Sequence, residues 1–141
     1  MARLVEVLQP LSLRADRLAG MEAFAGLRWS DLEWAAETLA ETTVERGTRL
    51  SVQGRRPTRL WLIIDGEALV SKDARPIRVA ASGDAVGLKG MLNGRRSPET
   101  AIALSPMRAL VADAVAFQSL LARPSIGARL LSAAKAVDPG R

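Results

Sequence analysis

AVGLKGMLNGRRSPETAIA, residues 85–103, is the stretch on which the fold turns. Gly87 follows a short apolar pair, and a one-turn helix fits before Gly94. Arg95 and Arg96 then precede a loop, and Thr100 opens a closing apolar strand. Upstream the chain breaks into short strands punctuated by glycine. Thr43–Arg46 ends at Gly47, and Thr48–Val52 ends near Gly54. Arg59–Ile64, RLWLII, is the strongest strand because bulky apolar residues fill it. Asp65-Gly66 after it is a hairpin signal, which predicts Glu67–Ser71 as its partner strand. Lys72–Arg75 predicts a second turn, Pro76–Ala81 another strand, Ser82-Gly83-Asp84 a third turn and Met107–Ala112 the last strand. Short strands with turn signals every 8–12 residues or so predict a barrel or a double-sheet roll.

Helices flank this region. Leu4, Val7, Leu8 and Leu11 recur at helical spacing, split by Pro10, and a second short piece runs from Arg14 to Met21. Ser30-Asp31-Leu32-Glu33 reads as a capping box, predicting a helix from Asp31 to about Glu41 with Leu32, Ala35, Ala36 and Leu39 buried. Asp113 is placed to cap a helix through Ala122 that Pro124 breaks. Ser125 is placed to cap the next, to about Val137. Ile126, Leu130, Leu131 and Ala134 lie along one face of that last helix, which serves either as a cover for the roll or as an interface for a partner or a second copy. The expectation is one domain over 1–141, mainly β with flanking helices (α+β). It has a helical N-terminus to about residue 41, an antiparallel jelly-roll-like β-roll over 42–112 and C-terminal helices over 113–137.

Composition removes several kinds of chemistry. The 141 residues include no cysteine and no histidine, so disulfides, thiolate and imidazole metal sites, and the usual nucleophile–base pairs are excluded. No metal site is expected. No apolar run approaches the roughly 18 residues of a membrane span, and the N-terminus lacks the unbroken apolar core of a secretory signal. A cytoplasmic location is expected, with no membrane partner. The net charge of +5 is modest, and five aromatic residues make no stacking platform for single strands.

Helices, glycine-punctuated strands, the 85–103 stretch and then helices together resemble the cyclic-nucleotide-binding domain superfamily. That superfamily includes catabolite-activator-type regulators and the regulatory subunits of cyclic-AMP-dependent kinase. Phe24, Leu27 and Asp31-Leu32 match its opening helix; Gly47, Gly54, Leu60–Ile64, Asp65-Gly66-Glu67 and Gly83-Asp84 match its turns and strands. The resemblance implies a jelly-roll-like β-roll in which residues 85–103 form a phosphate cassette. It implies that amides opening a short helix face the cyclic phosphate, that an arginine grips it, and that a glutamate takes the ribose 2′-hydroxyl. Gly87 matches the family glycine, Gly94 the later one and Thr100 the threonine of the closing strand. The glutamate position holds Leu88 and the arginine position holds Ser97.

The candidate pocket is therefore Gly87, Leu88, Lys89, Arg95, Arg96, Ser97 and Thr100, with no catalytic residue. Lys89 reads as a phosphate neighbour or a surface lysine. Arg95 and Arg96 read as substitute phosphate ligands or a solvated pair, and Thr100 as a ligand contact or a plain strand residue. Glu67 reads as structural, Trp61 as core, and Trp34 as lying at the edge of the buried stripe. Two functions follow. One is a stand-alone regulatory or interaction module that has lost tight cyclic-nucleotide binding, with cyclic AMP or cyclic GMP at most a weak ligand and no cofactor. The other is a working cyclic-nucleotide or anion sensor that uses Arg95 or Arg96. With the chain ending at Arg141, no room is left for a DNA-reading module, so a protein partner or self-association through the terminal helices is expected rather than DNA.

Overall fold

The computed structural model describes residues 11–136. α1 (Leu11–Ala19), a 3-10 turn (Glu22–Phe24) and α2 (Trp29–Thr38) lead into eight strands. These are β1 (Ala40–Val44), β2 (Arg49–Ser51), β3 (Arg59–Asp65), β4 (Ala68–Lys72), β5 (Arg75–Ala80), β6 (Ala85–Val86), β7 (Thr100–Ala103) and β8 (Met107–Asp113). α3 (Leu88–Asn93) lies between β6 and β7, and α4 (Ala114–Ala122) and α5 (Pro124–Ala136) close the chain. Two four-stranded antiparallel sheets face each other, in the orders β1-β8-β3-β6 and β2-β7-β4-β5. The expected β-roll with flanking helices is what forms. The N-terminal pattern of Leu4, Val7, Leu8 and Pro10 lies outside the described residues. Among the described residues no helix is long and apolar enough to cross a membrane.

β3 explains why its sequence is apolar without alternation. Successive side chains on a strand point to opposite faces, and both faces of β3 are covered. Leu60, Leu62 and Ile64 pack with Leu110 and Ala112 against the helices. Trp61 and Ile63 face the second sheet, in a core that also holds Ala68, Ala80, Ala101, Ala103 and Ala109. These small residues leave much of the volume between the sheets to Trp61, Ile63, Val70 and Met107. The Trp61 indole N–H donates to the Leu50 carbonyl at 3.0 Å, so its polar edge is satisfied inside.

Four local expectations need correction. Asp65-Gly66 makes a corner between sheets, not a hairpin: β3 pairs with β6 and β8, while β4 pairs with β5 and β7. Gly66 has φ +99, and a Cβ there would sit 2.6 Å from Met107 Cγ and 2.7 Å from the Pro106 carbonyl oxygen. The dipeptide is needed because the chain passes that segment closely. The 30–33 capping box does not form either. α2 starts at Trp29 with Arg28 as its N-cap and no side-chain cap, and it ends at Thr38 rather than Glu41. Ser125 is not a cap, because Pro124 opens α5 as a first-turn proline and the Ser125 hydroxyl donates to Asp31 at 2.8 Å. The early helix runs Leu11–Ala19 rather than from Arg14 to Met21.

Other local signals hold. The Asp113 carboxylate accepts from the Ala116 N–H at 2.8 Å, capping α4. Lys72–Arg75 is a true hairpin turn, with Asp73 at φ 53 and Ala74 at φ 65. Ile126, Leu130 and Ala134 of α5 are buried in the helix-side core, where α5 packs against α4, the 3-10 turn and α3, and Leu131 is left exposed.

Candidate functional site

The 85–103 segment folds because two glycines bracket α3. Gly87, at φ 90 and ψ 0, is its N-cap, and a Cβ on it would come 2.7 Å from the Arg59 carbonyl oxygen. Gly94, at φ 63, ends the helix, and its N–H donates to the Gly90 carbonyl at 3.0 Å. Gly90 lets the helix rest on Pro57, where a Cβ would lie 3.1 Å from the proline ring. Loop 95–99 is then fastened to the β2–β3 connection. The Gly54 N–H donates to the Ser97 carbonyl at 2.9 Å, and the Ser97 N–H donates to the Arg55 carbonyl at 2.7 Å.

This frame encloses a cavity of about 50 Å³ beside Gly87–Gly90 and Ser97–Glu99, walled on the far side by Ser51 and Arg78. Pockets that hold small organic ligands usually measure about 300 Å³ or more. Arg78, from β5, reaches the Glu99 carboxylate at 3.2 Å across the cavity wall. The Ser51 hydroxyl donates to the Glu99 carbonyl at 3.1 Å. One guanidinium is present, and a carboxylate of this chain already takes it.

A sequence model of the cyclic nucleotide-binding domain matches residues 41–124. The chain belongs to that family. Similar solved structures include a cAMP-binding acyltransferase from Mycobacterium smegmatis, 32% identical, with a TM-score of 0.59 over 86% of this chain and 39% of that one. The catabolite activator protein of Thermus thermophilus is 19% identical, with a TM-score of 0.72 over 82% of this chain and 56% of that one. The regulatory domain of Toxoplasma gondii PKA, crystallised with cAMP, is 17% identical, with a TM-score of 0.78 over 91% and 50%. The last two likenesses speak to the fold alone. The chain spans roughly two-fifths to just over half the length of these solved chains. A search of curated proteins finds no match.

In this cyclic nucleotide-binding domain the expected site residues divide into three groups. Gly87, Lys89 and Ser97 line the cavity, and so does Leu88, whose side chain is also buried in the core beneath the helices. Leu88 therefore contributes packing at the position for which the resemblance implied a glutamate. Ser97 is buried, and its backbone serves the loop-to-loop bridge. Thr100 is outside the cavity lining, and its hydroxyl accepts the Gln53 N–H at 2.9 Å.

Arg95 and Arg96 form the third group. They border a separate open depression with Arg56 and Gly94, and the Arg96 guanidinium donates to the Gly54 carbonyl at 2.6 Å. Sequence reading missed Arg78 and Glu99. Their only signal is register: Arg78 of β5 and Ala101 of β7 lie opposite Val70 on either side of β4, so the long Arg78 side chain reaches across β4 to Glu99. Glu67 is exposed at the sheet corner, where its N–H donates to the Ser105 hydroxyl at 3.2 Å. Trp34 is half-buried under the Arg123 guanidinium, 4.9 Å from the ring centre, and Trp29 is exposed.

Proposed function

We propose that this domain is a regulatory or interaction module of the cyclic nucleotide-binding type whose cassette has lost tight hold of cyclic nucleotides. One observation carries the reading: the Glu99 carboxylate stands in the cavity wall and pairs with Arg78 at 3.2 Å. A cyclic phosphate entering there would meet a fixed negative charge and would have to displace it from the guanidinium. With Leu88 and Ser97 at the anchor positions, the glutamate–ribose and arginine–phosphate contacts are both lacking. Hydrogen bonds to charged groups contribute about 1.5–3 kcal/mol each, so their joint loss is about 3–6 kcal/mol. That turns a micromolar ligand into one of roughly millimolar affinity.

Calorimetric titration with cyclic AMP and with cyclic GMP tests the reading. Binding no tighter than millimolar is expected, and a micromolar Kd for either nucleotide would overturn it.

A further inference from the structure

The sequence Gly-Arg-Arg occurs twice, at 54–56 and at 94–96, and the fold brings the two copies together. Backbone bonds between Gly54 and Ser97 and between Ser97 and Arg55 fasten the two turns side by side. Arg55, Arg56, Arg95 and Arg96 are all exposed there. They amount to most of the chain's net charge of +5, held on two adjoining loop tips.

Several other arginines are paired with carboxylates: Arg78 with Glu99, Arg108 with Glu41, Arg123 with Asp31 and Arg129 with Glu22. Among the described residues no carboxylate pairs with any of the four loop-tip arginines. Among the described residues, Arg56, Gly94, Arg95 and Arg96 line an open depression. Arg96 is already held in place by its bond to the Gly54 carbonyl. Like charges on two adjoining turns repel one another, and an anion set among them relieves that repulsion.

We propose that this depression binds a compact oligophosphate, two or three linked phosphate groups gripped by the guanidinium forks of Arg56, Arg95 and Arg96. Guanidinium matches phosphate in planar, two-pronged geometry, and three forks around one concavity suit several phosphates on one small molecule. Among the described residues the lining carries no apolar or aromatic side chain to receive a base or an acyl chain. Duplex nucleic acid presents its phosphates along a line and is bound by longer basic surfaces. The depression shares no lining residue with the cassette cavity, so the proposal stands whether or not cyclic nucleotides bind.

The test is calorimetry on the full chain with sodium tripolyphosphate at low ionic strength, repeated with ATP and with a short DNA duplex. Wild-type protein is expected to bind tripolyphosphate with a micromolar Kd that weakens as salt is added. Arg56→Ala/Arg95→Ala is expected to weaken it at least tenfold, while Arg46→Ala and Lys135→Ala, exposed elsewhere, leave it unchanged. Far-UV circular dichroism checks that the double variant is folded. ATP binding about as tightly as tripolyphosphate, and lost with it in the double variant, assigns recognition to the phosphates alone. No binding, undiminished binding by the double variant, or a duplex held more tightly through the same arginines would each overturn the proposal.

Discussion

The Asp31 carboxylate accepts from Arg123 Nε at 2.7 Å, joining α2 to the α4–α5 junction across 92 residues of sequence. The Ser125 hydroxyl donates to its other oxygen at 2.8 Å. Asp31 is 7% exposed, so its charge depends on these partners. The hydrogen bond from Arg123, then that from Ser125, hold its carboxyl below the ordinary carboxylate range, against the opposing effect of burial.

A carboxyl whose pKa is lower folded than unfolded adds stability above its unfolded pKa and loses it as pH falls through the folded one. Asp31→Asn is therefore expected to lower stability by about 1–3 kcal/mol at neutral pH, a range tempered by the partial exposure of Arg123. The gap between wild type and variant should close as pH drops below about 4. Urea unfolding at a series of pH values measures it, and a gap that stays constant down to acid pH would contradict the role given to the charge.

Gly66 and Gly47 separate two costs that are usually merged. Both have strongly positive φ, +99 and +89, but a Cβ on Gly47 meets nothing within 4 Å while one on Gly66 strikes Pro106 and Met107. Gly47→Ala is expected to cost about 1–2 kcal/mol from backbone conformation alone. Gly66→Ala should cost about 2–4 kcal/mol, because steric overlap adds to the same backbone term. Equal urea midpoints for the two variants would show that the sheet-to-sheet corner is looser than described.

Ala74 occupies the left-handed region at φ 65 in the β4–β5 turn, beside Asp73 at φ 53. The Gln53 side chain holds that turn, donating to the Asp73 carboxylate and accepting its N–H, each at 2.8 Å. Two-residue turns of this kind favour glycine at the second position. Ala74→Gly is expected to raise stability by about 0.5–1 kcal/mol, after the entropy that glycine adds to the unfolded chain is discounted. Thermal unfolding checks the sign.

Glu99 and Ser97 are the residues to change if the cassette is to grip a cyclic phosphate. Glu99→Ala alone should alter stability by less than about 1 kcal/mol, since its pair with Arg78 is partly exposed. Ser97→Arg/Glu99→Ala is expected to bind cyclic AMP at least tenfold more tightly than wild type, about 1.4 kcal/mol. Calorimetry on the folded double variant decides it. No gain would mean that the cavity wall, rather than its charge, limits entry.

The 85–103 segment was legible from glycine spacing because Gly87 and Gly94 are dictated by local backbone conformation. Asp113 was legible for the same kind of reason, since its cap lies three residues away. Asp65-Gly66 was misread because the dipeptide permits a reversal without saying which strand lies beyond it. Ser30 and Ser125 fit local capping rules, but Pro124 opens α5 and Ser125 is drawn to Asp31 instead. Arg78 and Glu99, 21 residues apart, carry no mutual signal until the register of β4, β5 and β7 places them together.

By itself the sequence determined the order of elements, the glycine turns that bracket α3, the strongly apolar β3 strand and membership in a family of β-rolls. These follow from backbone geometry and apolar patterning, which act within a few residues. Only the tertiary structure decided that Glu99 takes Arg78, that Leu88 packs into the core, and that two Gly-Arg-Arg turns form one basic surface. Those outcomes depend on charges and backbones far apart in the chain, and their interactions are set by distances that exist only once both sheets have closed.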